Sequence, residues 1–397
     1  MTKKTHHALA MTAAALAAGL FSASAAQAVD WGGYFRTGPG ATKKDASRAC
    51  YGLSGAGLKY RLGNECDFYG EFLLSQGFKT EGVEYKANLM TNLYNPGTDT
   101  GSASVGINQM YVEGKGYDIA PEQTFWIGKR FYGRADVHIV DTFYVNLSGV
   151  GAGVDGIKLG DAKMNLAYFR TDGAAAQPGT RLNADFTDIA TNPGGKLRVT
   201  GTVTNGDFSG GKSGFGLSFQ HNQDNVFGLG GGNTLWLQFA QGSAGLDGSF
   251  GNLSAASGTR GVRVVESLTW QAGPLGGQAQ AMVQQDKDGA TGLKTTSSTI
   301  GGRASYAMTK NLKLLAELGY SQKKPDGAAT QKLTKLTFGP ALSTGPGFWN
   351  RPELRLYVTT AKWNDAANAA AGPLGLTGIG DGKTSGTSYG AQVEIWF

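Results

Sequence analysis

Tyr389-Gly390-Ala391-Gln392-Val393-Glu394-Ile395-Trp396-Phe397 closes the chain, and its odd positions are all apolar or aromatic. The even positions are Gly or polar until Trp396. An alternation of period two makes a β-strand with one apolar and one polar face. The pattern recurs upstream. In Arg61 to Leu74, Phe68, Gly70, Phe72 and Leu74 oppose Asp67, Tyr69 and Glu71. In Pro352 to Val358, Leu354, Leu356 and Val358 oppose Glu353, Arg355 and Tyr357, and near the start Trp31, Gly33 and Phe35 oppose Asp30, Tyr34 and Arg36.

Alternation alone does not say which face meets water. In a soluble sandwich the apolar face packs on a core; in a transmembrane barrel it meets lipid while the polar face lines a lumen. Three features favour the barrel: an export signal, alternating segments of about ten residues between Gly/Asn/Asp turns, and aromatics near strand ends. The expected fold is all-β, an antiparallel transmembrane β-barrel of about 18 strands with an inward-folded constriction loop. Stretches rich in Gly, Ala, Ser and Asp at Asn95 to Gly106, Asp172 to Asp185 and Asn364 to Ser388 read as its long outward loops.

Composition agrees. Gly supplies 63 of 397 residues and charged residues only 17%. No apolar run beyond the first thirty residues approaches the ~18 of a membrane helix, so a helical membrane protein is excluded. The low charge and the many aromatics argue equally against disorder. Lys3 and Lys4, the apolar stretch Ala8 to Phe21 and the small-residue site Ala26-Gln27-Ala28 read as a secretory signal over residues 1–28, leaving 29–397 as one barrel domain. Its removal takes two lysines and no acids, so the net charge falls from +6 to +4, and only His138 and His221 remain. Two histidines leave little room for His-based catalysis or metal binding, and no cofactor or metal is expected. Cys50 and Cys66, an even count at short spacing in an exported chain, read as a disulfide; two free thiols are the alternative, and a C-x-x-C redox spacing is absent.

Residues that break the alternation carry the functional signal. Trp396 shares the parity of Gln392 and Glu394, Tyr34 that of Asp30 and Arg36, and Tyr69 that of Asp67 and Glu71. Trp349 shares the parity of Arg351, Glu353 and Arg355 if that strand runs back past Pro352. Aromatics among charges suit sugars, whose C–H faces lie on rings while their hydroxyls bond to Arg and carboxylates. The plainer alternative is that each ring packs under an inward loop. Lys129 to Asp141 mixes both charge signs without alternation, as a pore constriction or a solvated loop would; His138 within it reads as a structural histidine. Gly378 to Thr384 lacks the Gly that a phosphate-binding loop needs, with Thr377 in its place, and no G-x-S-x-G elbow occurs. A +4 charge without basic runs gives no case for nucleic acid.

These residues resemble the maltoporin family of sugar-specific outer-membrane porins. The likeness lies in Val29 to Arg36, Lys59 to Cys66, Gly128 to Tyr132, Arg134 to Asp141, Asn192 to Gly195, Arg351-Pro352, Ala361 to Trp363 and Gly390 to Trp396. The resemblance implies an 18-stranded barrel, a homotrimer in the bacterial outer membrane, and passive diffusion of maltose- or maltodextrin-like sugars. It implies a lumen slide of Tyr34, Tyr69, Trp349 and Trp396, and a polar track and constriction of Arg36, Arg61, Glu71, Arg134, Asp136, Asp141 and Phe143. The chain departs from the family pattern in several places: a constriction tyrosine falls on Phe143, a track arginine near Asn108, a slide phenylalanine near Gly232, and Asn92 to Gly106 holds no Trp. The alternatives are a general diffusion porin for small solutes, a porin for another sugar, or a barrel enzyme such as a phospholipase, which would need an activated nucleophile.

Overall fold

In the computed structural model, which describes residues 29–42, 48–97, 101–171 and 177–397, the strands turn their apolar parity outward. Leu354, Leu356 and Val358 are 54%, 60% and 55% exposed, whereas Glu353, Arg355 and Tyr357 between them are 2–3% exposed. The inversion extends around the wall: Leu318, Phe338 and Leu342 are exposed while Lys313, Glu317 and Thr337 are buried. Such a surface is matched by hydrocarbon and not by water. No helix of the described residues is long and apolar enough to cross a membrane.

In chain order the strands are β1 (Asp30–Thr37), β2 (Gly40–Thr42), β3 (Phe68–Thr80), β4 (Val83–Asn95), β5 (Ser104–Lys115), β6 (Thr124–Arg130), β7 (Ala135–Val137) and β8 (Thr142–Val145). They continue as β9 (Gly149–Leu159), β10 (Ala162–Thr171), β11 (Gly179–Ala190), β12 (Gly195–Gly206), β13 (Ser213–Asp224), β14 (Gly232–Gly242) and β15 (Arg260–Ala272). The last are β16 (Leu275–Lys287), β17 (Lys294–Ala307), β18 (Leu312–Pro325), β19 (Gln331–Ser343), β20 (Glu353–Trp363) and β21 (Ser385–Trp396). Sequential neighbours pair antiparallel, and β1 closes the sheet by pairing with both β3 and β21. Segments β1 and β2 both lie on β21 and form one strand broken at Gly38-Pro39, so the closed wall has 18 strands. The short hairpin β7–β8 stands apart as a second sheet. Residues 1–28, expected to be a secretory signal, lie outside the described residues.

One rim carries the shorter turns, such as 81–82, 160–161 and 273–274; the other carries the longer connections. The described parts of the three stretches expected as outward loops lie on the latter rim, with 98–100 and 172–176 outside the described residues, but their bounds overran. Strand β5 starts at Ser104, β11 at Gly179 and β21 at Ser385. Polar residues there belong to strands because the lumen, not a core, receives them: Asn183 donates to Thr202 Oγ1 at 2.8 Å, and Asp185 pairs with Arg198 at 2.7 Å. The strand expected over Arg61–Leu74 likewise begins only at Phe68; residues 61–67 belong to a connection.

Two long connections fold inside the barrel. Cys50 and Cys66 are disulfide-bonded (S–S 2.12 Å), closing a loop within the connection 48–67. Its Tyr51, Leu58, Tyr60 and Leu62 are almost fully buried. Wall side chains hold its backbone: Glu317 accepts from Leu62 N at 2.9 Å, Ser321 and Thr337 donate to Leu58 O and Leu62 O, and Lys335 donates to Tyr60 O. The connection 131–148, which contains β7 and β8, is held likewise. Gln278 accepts from Ile139 N, Gln238 donates to Tyr144 O at 2.6 Å, and Arg181 donates to Leu147 O at 2.6 Å. Arg61 N donates to Ile139 O at 2.9 Å and ties the two connections together.

Glycines in the wall make room for this filling. A Cβ on Gly319 would lie 2.0 Å from Tyr60 Cδ2, and one on Gly301 2.5 Å from Tyr60 Cζ. Gly319→Val is therefore expected to push Tyr60 off the wall, an overpacking cost of about 1–3 kcal/mol. Single-channel recordings should show a larger or noisier conductance; a trace identical to wild type would mean that the Tyr60 seat does not hold the connection in place.

Candidate functional site

Register brings the expected residues to one sector of the inner wall. Tyr34 lies opposite Trp396 on β21 and Glu71 on β3, while Arg36 lies opposite Glu394 and Tyr69. The rings form a row. Tyr69 and Tyr34 are 6.3 Å apart between centroids, and Trp396 and Trp349 are 6.5 Å apart. His138, from the 3-10 turn His138–Val140 of the inward connection, packs edge-on against Trp349 at 5.4 Å and Trp396 at 5.7 Å. Trp349 corrects one expectation: it is not on the strand, since β20 begins at Glu353, but in the turn 344–352. That turn still delivers its ring to the row, 44% exposed.

Behind the rings lies a buried charge network. Arg36 pairs with Glu65 at 3.1 Å, Asp67 at 2.8 Å and Asp141 at 3.4 Å. Arg61 pairs with Glu65 at 2.7 Å and Glu394 at 3.1 Å, and donates to Tyr34 Oη. Glu394 also meets Arg351 at 2.9 Å and Arg355 at 3.3 Å, and its carboxylate lies 3.6 Å from His138 Nε2. Buried ions survive only when paired and hydrogen-bonded on every side, which this lattice of alternating charge provides. Asp141 sits at its exposed margin, with φ 51°. Burial works against its ionised form, but Arg61 and Arg36 outweigh that effect and hold its carboxyl below the ordinary aspartate range.

The hairpin β7–β8 supplies the remaining groups. The Arg134 guanidinium lies between two rings, 4.1 Å from the Phe131 centroid and 3.7 Å from that of Phe143, and none of its N–H groups is engaged by a described residue. Asp136 is exposed opposite Phe143. Glu71 accepts from Tyr69 Oη and from Asn108 Nδ2 at 2.7 Å. Asn108 occupies a bulge in β5, where the register shifts between Met90 and Thr91, and this turns it inward. Gly232 lies at the start of β14 and brings no ring.

All the residues expected to act thus gather in the lumen: Tyr34, Arg36, Tyr69, Glu71 and Trp396 from the wall, and Arg61, Arg134, Asp136, Asp141, Phe143 and Trp349 from connections. Glu65, Asp67, Asn108, His138, Arg351, Arg355 and Glu394 were not among them. The parity of Arg351, Glu353, Arg355, Gln392 and Glu394 marked most of the wall charges as inward. Asp67 shared the polar parity of Tyr69 and Glu71 although it lies in the connection just before β3; no local pattern marked Glu65, because its connection reaches the lumen only through contacts with distant strands.

A family model described as LamB porin matches residues 29–397. The chain belongs to the LamB porin family. Among solved structures it is similar to OccAB1 of Acinetobacter baumannii, at 11% identity and TM-score 0.51 over 93% of this chain and 96% of that one. It is also similar to OpdQ of Pseudomonas aeruginosa, at 9% identity and TM-score 0.50 over 94% and 99%. Family and fold together make this porin an outer-membrane β-barrel. Its lumen presents a row of aromatic rings beside charged side chains.

Proposed function

We propose that this porin is a passive, sugar-selective pore for maltose- or maltodextrin-like oligosaccharides. The observation that carries the reading is the row Tyr69–Tyr34–Trp396–Trp349, flanked by Arg134, Asp136, Asp141 and Glu71. A pyranose has an apolar C–H face for the rings and a hydroxyl edge for the charges. Several weak sites in series bind and still release, as flux requires. A pore passing small ions and solutes without preference has no use for four aligned rings. Assembly as a homotrimer, which the family resemblance implies, belongs to the same reading.

Single-channel recording in a planar bilayer during titration with maltooligosaccharides tests it. Saturable block of the ion current is expected. A current that ignores maltooligosaccharides and a panel including sucrose would make this a general diffusion pore; block by sucrose alone would change the sugar.

A further inference from the structure

The outer wall holds a feature that the passage of solutes does not use. Six consecutive strands, β15 to β20, each carry a basic residue at the end on one rim, the rim that bears the connections 243–259 and 364–384: Arg260, Lys287, Lys294, Lys324, Lys332 and Lys362. Each shares the parity of exposed apolar residues on its own strand, Val262, Val283, Ile300, Leu318, Leu336 and Val358 respectively, so all six stand on the outer face. Their registers interlock. Arg260 lies directly opposite Lys287, and Lys287 directly opposite Lys294. Lys332 lies opposite Gln322, two residues from Lys324, and Lys362 opposite Thr334, two residues from Lys332. Like charges placed directly across a ladder repel unless an anion sits between them.

No such anion comes from the described residues. None of the six side chains has an ion pair or hydrogen bond among the described residues. The nearby carboxylates are engaged locally: Asp288 accepts from the Ala290 and Thr291 N–H groups, and Asp326 from Lys294 N. The belt also has a direction. Toward the middle of the wall come polar Gln285, Thr296, Gln322, Thr334 and Thr360, then Tyr320 and the apolar band. This is the order of a membrane interface, from charge through polar groups and an aromatic to hydrocarbon. The belt is confined to this sector. The corresponding ends of β21, β3, β4 and β5 carry neither Lys nor Arg; Lys129 on the outer parity of β6 donates to Ile107 O, and Arg170 on β10 is paired with Asp207 at 2.9 Å.

We propose that this sector binds the phosphate groups of outer-leaflet glycolipid, with the acyl chains lying on the apolar band beneath. Adjacent strands are ~4.8 Å apart, so six of them present cations over an arc on the order of 24 Å, wide enough to span the phosphates of a single bis-phosphorylated disaccharide headgroup. A soluble polyanion would engage the cations and leave the apolar band without a role.

The test uses the full protein purified in micelles, with native mass spectrometry and co-purification as readouts. The probes are a bis-phosphorylated, acylated diglucosamine, its dephosphorylated counterpart and inorganic phosphate. Wild type is expected to retain the bis-phosphorylated lipid at least tenfold better than the dephosphorylated one, with retention falling as salt is raised. The substitution set K287Q/K294Q/K324Q/K332Q/K362Q should lose at least tenfold while ion conductance is unchanged. Replacing Lys158, Lys163, Lys196 and Lys310 on the opposite rim with Gln should leave retention intact. Equal retention of the two lipids by wild type overturns the proposal, and that arm needs no variant to fold. Equal retention by the quintuple variant, displacement of the lipid by inorganic phosphate, or preference for an acidic protein also overturns it.

Discussion

Trp396→Ala is expected to weaken the binding of maltooligosaccharides inside the pore by about 5- to 150-fold. A ring of this size contributes on the order of 1–3 kcal/mol through buried area and stacking. Trp396 sits where the row turns from Tyr34, its register partner, to Trp349, so its removal opens a gap in the middle of the path. Arg351 also lies over its face at 4.3 Å, which holds the ring in place when no sugar is bound. Titrating current block in the variant checks the expectation. Ion conductance should stay the same or rise, because the lumen widens. Trp396→Phe should restore part of the affinity, since a flat apolar face is what the sugar uses. Wild-type block in both variants would leave the ring row without a function.

The second large effect is expected at Glu394. This carboxylate is fully buried and meets Arg61, Arg351 and Arg355, with His138 and the Tyr34 hydroxyl beside it. Glu394→Ala would leave three guanidinium groups short of a counter-charge. Removing one partner from a buried ion network costs about 3–5 kcal/mol. Arg61 anchors the connection 48–67, and His138 the connection 131–148, so the loss should release both from the wall. The expected signs are a barrel that unfolds at lower temperature on a heat-modifiability gel and a noisy, enlarged conductance. Glu394→Gln keeps the shape and some hydrogen bonds and should fall between Ala and wild type. A Glu394→Ala protein as heat-resistant and quiet as wild type would show that the connections are held by their other bonds to Glu317, Lys335, Gln238 and Arg181.

The two variants separate two kinds of residue. Trp396 faces the passage and acts on the solute; Glu394 faces the protein and shapes the passage. Both share one parity at the end of β21, and alternation alone treats them alike. What divides them is the filling opposite. Glu394 lies against Arg61 and Arg351, while Trp396 lies beside the exposed Trp349.

The wall was legible because its period is local. Leu354, Leu356 and Val358 read as one face and Glu353, Arg355 and Tyr357 as the other, and a strand has no third direction in which to send a side chain. Loop bounds were less legible. At Gly179 to Asp185 a lumen-facing strand uses Asn and Asp just as a loop does, and only pairing with β10 and β12 distinguishes them. Trp349 was placed on the correct side for an incorrect reason, since a turn and not a strand carries it.

Residue order alone was enough to establish an alternating chain, its strand faces, and the aromatics on the polar parity. It could not say whether the apolar faces look inward or outward; the buried Lys313, Glu317 and Arg355 beside exposed Leu318 and Leu356 decide that. Nor could it say that residues 48–66 enter the lumen. Tyr60 finds its seat on Gly301 and Gly319, some 240 residues or more along the chain. Strand parity follows from covalent geometry within a few residues, whereas the seating of a connection depends on distant side chains that meet only when the barrel has closed.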